Sequence, residues 1–492
     1  MPHVVIIGGG FAGLTCARRL KKAPVRITLF DARNHHLFQP LLYQVATAAL
    51  SAPDIAAPIR KLLAGQANTT VLARGVSAIS LADRSVTFDG GVVHYDYLVV
   101  AAGAVNHYYG NPQWEAWAPG LKTIDDAFEI RRRVLGVFEE AELTADPEVR
   151  RELLTFAVVG GGATGVELAG ALSEIASRTM RKQFRHFDPE DARVVLVEGG
   201  PRLLNGFPEV LCEKARARLE ALGVEVRLNA RVADIDAQGV HLQPPPSAAN
   251  ATAAPSQPAG SAQRPGELIA ARTVLWGAGV AGAPIGKQLG LGVTRGGKVR
   301  TDPCLHPVPA DGGPSAHPEV FVCGDLAEID PSCNDGKPTP GVAPAALQMG
   351  RYAADQIRES LSQPNNRESL SQVALPPATP FRYFDKGQLA TIGRMSAVAA
   401  LGKRRFAGAF AWLLWVVVHI LYLASFRNRV VVLFEWAWAW FTWSRPGRII
   451  LERPSRWPPE PRPIEEGPPP QVEGQPAGTR ITASPETTTS QR

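Results

Sequence analysis

Two similar stretches of this chain indicate its fold: HVVIIGGGFAG at His3–Gly13 and TFAVVGGGATG at Thr155–Gly165. In each, a β-branched run leads into a glycine-rich turn, and a segment compatible with a helix follows. A second β-branched run then ends in an acid, at Asp31 after RITLF and at Glu198 after RVVLV. Strand, glycine turn, helix, strand and acid make up a βαβ dinucleotide-binding unit. The sequence therefore predicts an α/β fold with two Rossmann-like dinucleotide-binding domains.

The glycines of the two turns are candidate phosphate ligands. A phosphate needs close approach of the backbone and N–H donors, and the N-terminus of a helix offers both together with a favourable dipole. One GxGxxG is a weak signal alone, but the flanking strand, helix and acid strengthen it, and here the whole pattern occurs twice. The candidates are Gly8, Gly10, Gly13, Gly160, Gly162 and Gly165. The alternative is a pair of turns that serve packing only.

The two acids indicate the class of nucleotide. A carboxylate at the end of the second strand accepts hydrogen bonds from ribose hydroxyls and repels a 2′-phosphate. Asp31 follows the first turn at the usual spacing, whereas Glu198 lies much further beyond Gly165. That longer spacing predicts a longer helix in the second unit, reaching towards Arg185. Glu198 favours NADH over NADPH.

Composition and charge exclude several classes of protein. A length of 492 residues predicts two or three domains, and the net charge is only +6. Residues 402–453 hold eight basic and two acidic residues and six of the ten tryptophans. A basic, aromatic segment of this kind favours a membrane contact over a uniform nucleic-acid-binding surface. The five cysteines form no CxxC and no metal-type spacing, so we expect neither a bound metal nor a disulfide scaffold.

The segment Phe406–Phe426 carries no charge over 21 residues. As a helix it would extend about 31 Å, enough to span a bilayer. Basic residues flank both ends, however, at Lys403 and at Arg427, and one cluster would lie outside if the segment spanned. We therefore favour attachment in the interface, with spanning as the alternative. Two Pro-rich segments, residues 243–266 and 453–492, are predicted to be a disordered insertion and a disordered tail.

Further motifs resemble the type II NADH:quinone oxidoreductases, which are single-subunit respiratory dehydrogenases that do not pump protons. The motifs are NHHLFQPLLYQVAT at Asn34–Thr47, YDYLVVAAG at Tyr95–Gly103, TVLWGAGV at Thr273–Val280, FVCGDLA at Phe321–Ala327, DKGQLATIGR at Asp385–Arg394 and SFRNRVVVLFEWAWAW at Ser425–Trp440. The resemblance runs from about residue 3 to about residue 450 and omits only the two Pro-rich segments.

The resemblance implies a glutathione-reductase-like arrangement with FAD in the first unit and NADH in the second. The FAD-binding domain is expected at 1–123 and 281–385, and the NADH-binding domain at 124–280. A C-terminal membrane-attachment region is expected at 386–452. The residues implied for FAD are Gly8, Gly10, Gly13, Asp31, Gly103, Gly324 and Asp325. Those implied for NADH are Gly160, Gly162, Gly165, Glu198 and Gly279.

Three residues are implied in the chemistry by the same resemblance. Glu167 is expected near the nicotinamide, Lys386 beside the flavin or the quinone, and Gln348 near the quinone. Some relatives carry a glutamate where this chain has Ala171, and others a glutamine where it has Pro344. The pattern at both positions therefore departs from those relatives.

The function implied is transfer of a hydride from NADH to flavin and then of two electrons to a membrane quinone, ubiquinone or menaquinone. The expected location is the cytoplasmic face of the bacterial inner membrane, attached through residues of about 406–443 to anionic lipid. A homodimer is left open. The alternatives are a sulfide:quinone oxidoreductase, which needs cysteines at the flavin, and a non-catalytic FAD-binding redox sensor.

Overall fold

The computed structural model describes residues 1–244, 266–362, 379–443, 445 and 447–450. The predicted insertion lies outside these residues except at its ends, and the predicted tail lies outside them entirely. The described chain contains two parallel sheets, several small antiparallel sheets and the helices that cover them. This arrangement confirms the predicted α/β class.

The first parallel sheet has five strands in the order β20–β9–β1–β2–β5. They are β1 (His3–Ile7), β2 (Arg26–Asp31), β5 (Thr69–Ala73), β9 (Tyr97–Val100) and β20 (Val320–Val322). Every residue of β1, β9 and β20 is buried, as expected for a parallel sheet covered on both faces, whereas the edge strand β5 buries only Val71. Helices α1 (Phe11–Arg19) and α10 (Ala343–Ser362) pack against each other beside it. Strand β20 brings a distant part of the chain back to the first glycine turn.

The second parallel sheet has four strands in the order β13–β12–β11–β17. They are β11 (Thr155–Val159), β12 (Arg193–Val197), β13 (Val224–Arg227) and β17 (Thr273–Trp276). Three longer helices belong to this part of the chain: α6 (Ile124–Leu143), α8 (Ala163–Glu174) and α9 (Glu209–Ala221). A π-helical turn at Ile175–Thr179 follows α8, so the prediction of a helix reaching Arg185 is wrong. Irregular chain and a short 3-10 turn at Pro189–Asp191 fill the remaining length.

Three-stranded antiparallel sheets form the smaller elements. They consist of β6 (Val76–Ser80), β7 (Ser85–Phe88) and β8 (Gly91–His94), and of β14 (Val232–Asp236), β15 (Gly239–Leu242) and β16 (Leu268–Ala270). Three strand pairs join β3 (His35–Leu37) to β4 (Ala56–Pro58), β10 (Ala104–Asn106) to β18 (Val280–Gly282), and β19 (Val299–Thr301) to β21 (Ala327–Ile329). The short helices are α2 (Leu42–Ala46), α3 (Ala52–Ile55), α4 (Ile59–Leu63), α5 (Trp114–Trp117) and α7 (Pro147–Leu153).

The C-terminal region starts with an antiparallel sheet of β22 (Gln388–Gly393), β23 (Ser396–Leu401) and β24 (Arg404–Gly408). Helices α11 (Ala409–Tyr422) and α12 (Phe426–Thr442) follow. The apolar segment predicted at 406–426 is therefore divided, because its first residues pair with β23 and its last begin α12. None of the described helices has the length and apolar character needed to cross a membrane.

Candidate dinucleotide and quinone sites

The first glycine turn is closely packed at two positions and open at a third. Gly8 has φ +103°, and a Cβ there would lie 2.3 Å from the Ala101 carbonyl oxygen. A Cβ at Gly13 would lie 1.9 Å from the Gly8 carbonyl oxygen, so only glycine lets α1 approach the end of β1. At Gly10 a Cβ would meet no atom within 4 Å. The turn thus leaves an open approach to the N-terminus of α1, as a phosphate requires.

Asp31 closes this turn from the end of β2. Its Oδ2 accepts a hydrogen bond of 2.6 Å from the Gly9 N–H, and its Oδ1 accepts one of 2.8 Å from the Arg33 N–H. Behind the turn, His36 is buried and its Nδ1 lies 3.0 Å from the Gly9 carbonyl oxygen. The carboxylate is fixed beside the turn, where the acid of a βαβ nucleotide site belongs.

The second turn repeats the first in detail. A Cβ at Gly165 would lie 1.8 Å from the Gly160 carbonyl oxygen, while one at Gly162 would meet no atom within 4 Å. Glu198 accepts hydrogen bonds of 2.6 Å from the Gly161 and Gly200 N–H groups, one to each carboxylate oxygen. The two turns therefore have the same packing and a carboxylate in the same position, despite their different helix lengths.

The remaining predicted cofactor residues lie at the ends of strands of the two sheets. Gly324 follows β20 with φ +76°, and its N–H lies 3.0 Å from the Met349 Sδ of α10. The half-buried Asp325 comes next, and its charge opposes the lowering of the Lys122 pKa by burial. Gly103 follows β9 with φ +72°, in open space. Asp325 therefore presents a carboxylate near a partly buried lysine.

Gly279 is covered by Tyr109, a residue that the sequence motifs did not single out as part of the site. The Tyr109 hydroxyl donates a 2.6 Å hydrogen bond to the Ala278 carbonyl oxygen, and it would lie 2.6 Å from a Cβ at Gly279. Tyr109 is 61 % exposed and has φ +51°. This tyrosine covers the loop after β17, and only the fold shows that it lies beside the second glycine turn's sheet.

Glu167 lies in α8 on the same face as Ala171 and Glu174, three positions that line one cavity. Burial raises the pKa of Glu167 to about 8, against the smaller lowering effect of a hydrogen bond with the Thr391 backbone. A carboxyl group with this pKa is protonated at neutral pH. Glu167 is therefore a neutral hydrogen-bonding group in the structure.

Glu174 has a different environment on that face. It accepts a 2.5 Å hydrogen bond from the Arg394 N–H and lies 3.3 Å from the Arg445 guanidinium. Burial lowers the pKa of Arg445, and the Glu174 charge opposes this effect. Arg445 also donates to the Thr47 carbonyl oxygen at 2.9 Å. Glu174 is thus engaged in an ion pair and is no substitute for an acid at Ala171.

The cavity beside Glu167 has a volume of about 140 Å³ and was not foreseen from the sequence. Five tryptophans line it: Trp412, Trp415, Trp436, Trp440 and Trp443. Within it, the Trp436 Nε1–H donates to the Gln44 Oε1 at 2.7 Å, and the Gln44 Nε2–H donates to the Tyr43 hydroxyl at 2.9 Å. Neither of the predicted quinone residues, Lys386 and Gln348, is among the lining residues.

Lys386 and Gln348 lie elsewhere, and each makes hydrogen bonds with a different partner. The Lys386 Nζ donates to the Tyr422 hydroxyl at 2.8 Å and lies 5.5 Å from the centre of that ring. The Gln348 side-chain amide donates to the Phe384 carbonyl oxygen and accepts from the Phe384 N–H, both at 2.9 Å. Gln348 therefore holds the backbone two residues before Lys386, and both ends of its amide are occupied.

The cysteines do not present a thiolate at the nucleotide sites. All five are unpaired by disulfides, and Cys323, next to Gly324, is fully buried. Burial raises the pKa of Cys323 and likewise those of Cys304 and Cys333. Because the thiolate is the reactive form, these environments disfavour chemistry that depends on sulfur at the flavin.

Comparisons with known proteins agree with this geometry. The sequence model of the pyridine nucleotide-disulphide oxidoreductase family matches residues 2–350. Two type II NADH:quinone oxidoreductases of Mycobacterium tuberculosis are similar over most of their length. NdhA is 43 % identical over 446 residues, covering 88 % of this chain and 86 % of that protein. Ndh is 40 % identical over 457 residues, covering 91 % and 90 %.

A solved structure shows the same fold. NDH2 of Plasmodium falciparum, determined in complex with NADH, aligns with a TM-score of 0.77 at 19 % identity. The alignment covers 92 % of this chain and 100 % of that one. The chain therefore belongs to the pyridine nucleotide-disulphide oxidoreductase family and, within it, to the type II NADH:quinone oxidoreductases.

Proposed function

We propose that this protein is an FAD-dependent NADH:quinone oxidoreductase that works without pumping protons. The observation that carries the proposal is the pair of glycine turns, each with an open helix N-terminus and an acid fixed beside it. One chain thus has room for two dinucleotides, and family membership assigns them to FAD and NADH. Bound flavin supplies the chemistry of accepting a hydride and passing on electrons.

The residues of the first unit fit the FAD. The Gly8–Gly13 turn would receive the diphosphate at the N-terminus of α1, and Asp31 would accept hydrogen bonds from the adenosine ribose. Gly103, Gly324 and Asp325 lie at the carboxyl ends of β9 and β20 in the same sheet. In the second unit Gly160, Gly162 and Gly165 would receive the NADH diphosphate, Glu198 would bind the ribose, and Gly279 would allow close approach.

The domain limits that we propose are those expected from the sequence: 1–123 with 281–385 for FAD, 124–280 for NADH, and 386–452 for membrane attachment. The pairing of β20 with β9 supports the return of the chain to the first unit after residue 281. The parallel pairing of β17 with β11 supports placing residues up to 280 in the second unit.

Three side chains are proposed to serve the reaction. Glu167 would sit beside the nicotinamide as a neutral carboxyl group that can donate a hydrogen bond. Lys386, which the Tyr422 hydroxyl holds in place, would stabilise negative charge on the reduced flavin or polarise a quinone oxygen. Gln348 would position Lys386 through its two hydrogen bonds with Phe384.

Membrane attachment through α11 and α12 is proposed from their exposed apolar side chains. Outward-facing residues on α11 are Phe410, Leu413, Val417 and Leu421, and those on α12 are Phe426, Val430, Leu433, Phe434, Trp438 and Phe441. Basic residues flank both helices, as in an amphipathic segment on anionic lipid. We propose the cytoplasmic face of the bacterial inner membrane as its location. A homodimer stays a prediction that light scattering of the detergent-solubilised protein would check.

Anaerobic visible spectroscopy of the detergent-extracted holoprotein tests the function. NADH should bleach the flavin band, and a short-chain quinone should restore it. A flavin band that NADH leaves unchanged would contradict the proposal. Bleaching without recovery on quinone would favour the redox sensor instead.

A further inference from the structure

A second cavity, of about 370 Å³, lies between α10 and residues 379–382. The cavity residues of α10 share one face of the helix, at spacings of three and four residues: Gln348, Arg351, Tyr352 and Gln356. Gly350 lies on the opposite face, where a Cβ would be 2.2 Å from the Ala12 carbonyl oxygen of α1. Helix α10 therefore separates this cavity from α1, and the cavity is no part of the first dinucleotide site.

The positive charges at this cavity are not compensated. Arg351 and Arg382 line it from opposite walls, both residues are exposed, and neither makes an ion pair with any residue that the structure describes. No carboxylate is among the lining residues. Asp355, on the same helix, already pairs with Arg19 at 2.8 Å and lies 3.7 Å from Arg358. Two guanidinium groups at a cavity without an acid favour an anion, and their planar sets of donors match phosphate oxygens.

A buried acceptor at the same cavity has no donor. Gln356 is only 7 % exposed, and its Oε1 accepts no hydrogen bond from any described residue. The other amide of the lining differs, since Gln348 uses both ends on Phe384. The Tyr352 hydroxyl is also engaged, because it donates to the Thr379 carbonyl oxygen at 2.9 Å. Buried acceptors are almost always satisfied, so Gln356 indicates a ligand that brings its own donor.

The size of the cavity and the rigidity of its wall suit an organic ligand. Sites for small molecules have volumes of about 300–1,000 Å³, so this cavity has room for more than an inorganic ion. The wall that carries Arg382 is held in place by Phe381, which is buried. The Phe381 N–H donates to the Pro303 carbonyl oxygen at 2.8 Å, and the Phe381 ring meets the Tyr352 ring edge-on at 5.7 Å. The two arginines therefore stand on walls that are already fixed.

We propose that this cavity binds a small phosphate ester that also carries a hydroxyl group, as a phosphorylated polyol does. Arg351 and Arg382 hold the phosphate from the two walls, and the ligand hydroxyl donates to the Gln356 Oε1. The site goes beyond the proposed electron transfer, since binding requires neither NADH nor quinone. The ligand lies against the segment that leads to Lys386, which Gln348 holds through Phe384.

Calorimetric titration of the oxidised holoprotein with glycerol phosphate tests the site, with NAD⁺ in excess so that the second glycine turn is filled. Arg351→Gln and Arg382→Gln should each weaken binding about tenfold to a hundredfold, the effect of losing a charged hydrogen bond. Arg358→Gln is the matched control, because Arg358 is exposed on the same helix and does not line the cavity. It should bind glycerol phosphate as the wild type does.

Methyl phosphate, which has no hydroxyl group, tests the part of Gln356. The wild type should bind it about threefold to tenfold more weakly than glycerol phosphate, the effect of one neutral hydrogen bond. Gln356→Met should remove that difference. Equal affinity of the wild type for the two esters would overturn the assignment of a hydroxyl-bearing ligand.

The remaining outcomes separate this inference from the function. No binding of glycerol phosphate to the wild type, or equal affinity in the three arginine variants with full flavin absorbance in each, would overturn the site. Binding of dihexanoyl phosphatidylglycerol with no binding of glycerol phosphate would overturn a soluble ligand in favour of a lipid headgroup. Failure of NADH to bleach wild-type flavin would remove the proposed function and leave this titration unaffected.

Discussion

Glu198 uses both carboxylate oxygens to hold the backbone of the second glycine turn, through Gly161 and Gly200. The same carboxylate is the group that would meet the ribose hydroxyls of NADH. Arg202, the nearest cation along the chain that could attract a 2′-phosphate, lies 3.3 Å from Glu209 in an exposed ion pair. We therefore expect discrimination against NADPH to depend on the charge of Glu198.

Replacement Glu198→Ala should lower kcat/KM for NADH about threefold to tenfold, the effect of losing one or two hydrogen bonds. It should also raise kcat/KM for NADPH, because the repulsion of the 2′-phosphate is removed. Steady-state assays with both nucleotides measure this. Glu213→Ala, an exposed site on α9, is the control, and an unchanged NADH to NADPH ratio in Glu198→Ala would contradict the assignment.

The raised pKa of Glu167 predicts that the stability of the protein depends on pH in one direction. Its pKa rises from 4.5 in the unfolded chain to about 8 in the fold, so the folded state binds the extra proton between these values. The free energy of unfolding should therefore contain a contribution that is complete below pH 4.5 and is lost as pH rises through about 8. Denaturant titrations at several pH values test this. Glu167→Gln should lack that decline, and an identical decline in the variant would count against it.

At the scale of elements, α11 and α12 expose apolar side chains that most soluble helices would bury. Strand pairing sets the start of α11, since residues 406–408 pair with β23 as part of β24. The 21-residue uncharged run indicated an apolar segment correctly but not its division, because its first residues complete a hairpin with β23, which lies outside the run. The same limit applies to α8, whose end at a π-helical turn was not visible in the glycine-to-acid spacing.

If α11 and α12 attach the protein to a membrane, their exposed apolar residues should set the strength of membrane binding. Burying a large apolar side chain is worth about 1.5–3 kcal/mol, so Leu413→Asp and Phe434→Asp should each weaken vesicle binding about tenfold or more. Co-sedimentation with anionic phospholipid vesicles measures the effect. Val92→Asp is the matched control, since Val92 is 56 % exposed on β8 outside the α11–α12 face. Equal binding by all three variants would remove these helices as the attachment.

On the scale of the whole molecule, Arg445 joins three parts of the chain. Its guanidinium contacts Glu174 of α8, the Thr47 carbonyl oxygen after α2 and, at 3.5 Å, the Ala171 carbonyl oxygen. Nearby, the Gly447 N–H donates to the Ala48 carbonyl oxygen and Arg448 donates to Gln183. The end of the described chain, which follows α12, is thus bonded to α8, the helix that follows the second glycine turn.

Arg445→Met should lower the free energy of unfolding by about 3–5 kcal/mol, because it removes the ion-pair partner of the Glu174 carboxylate, whose side chain is only 13 % exposed. Denaturant unfolding followed by circular dichroism measures this. The double variant Arg445→Met/Glu174→Gln should recover part of the loss, since it removes the unpaired charge as well. A double variant no more stable than the single one would show that the charge pair is not the cause.

Prediction of the fold from the sequence was confirmed where the signal is local, while the binding roles of the residues in those motifs stay predictions. The glycines of both turns, Asp31 and Glu198 lie within short motifs whose geometry follows from strand, turn and helix rules. The tryptophan-lined cavity is formed by residues of α2, α8, β22, α11 and α12. No single segment of the sequence could therefore predict it. Gln348 shows the same limit, because its partners at Phe384 lie 36 residues away.

The packing of the two glycine turns also has a genetic consequence. In a library of random substitutions, positions 13 and 165 should be recovered only as glycine under any selection that requires a folded protein, because a Cβ would overlap a carbonyl oxygen. Positions 10 and 162 have open space and should accept alanine or serine when folding alone is selected. They should revert to glycine only when cells depend on the activity, so the two selections would map structural and ligand-binding constraints separately.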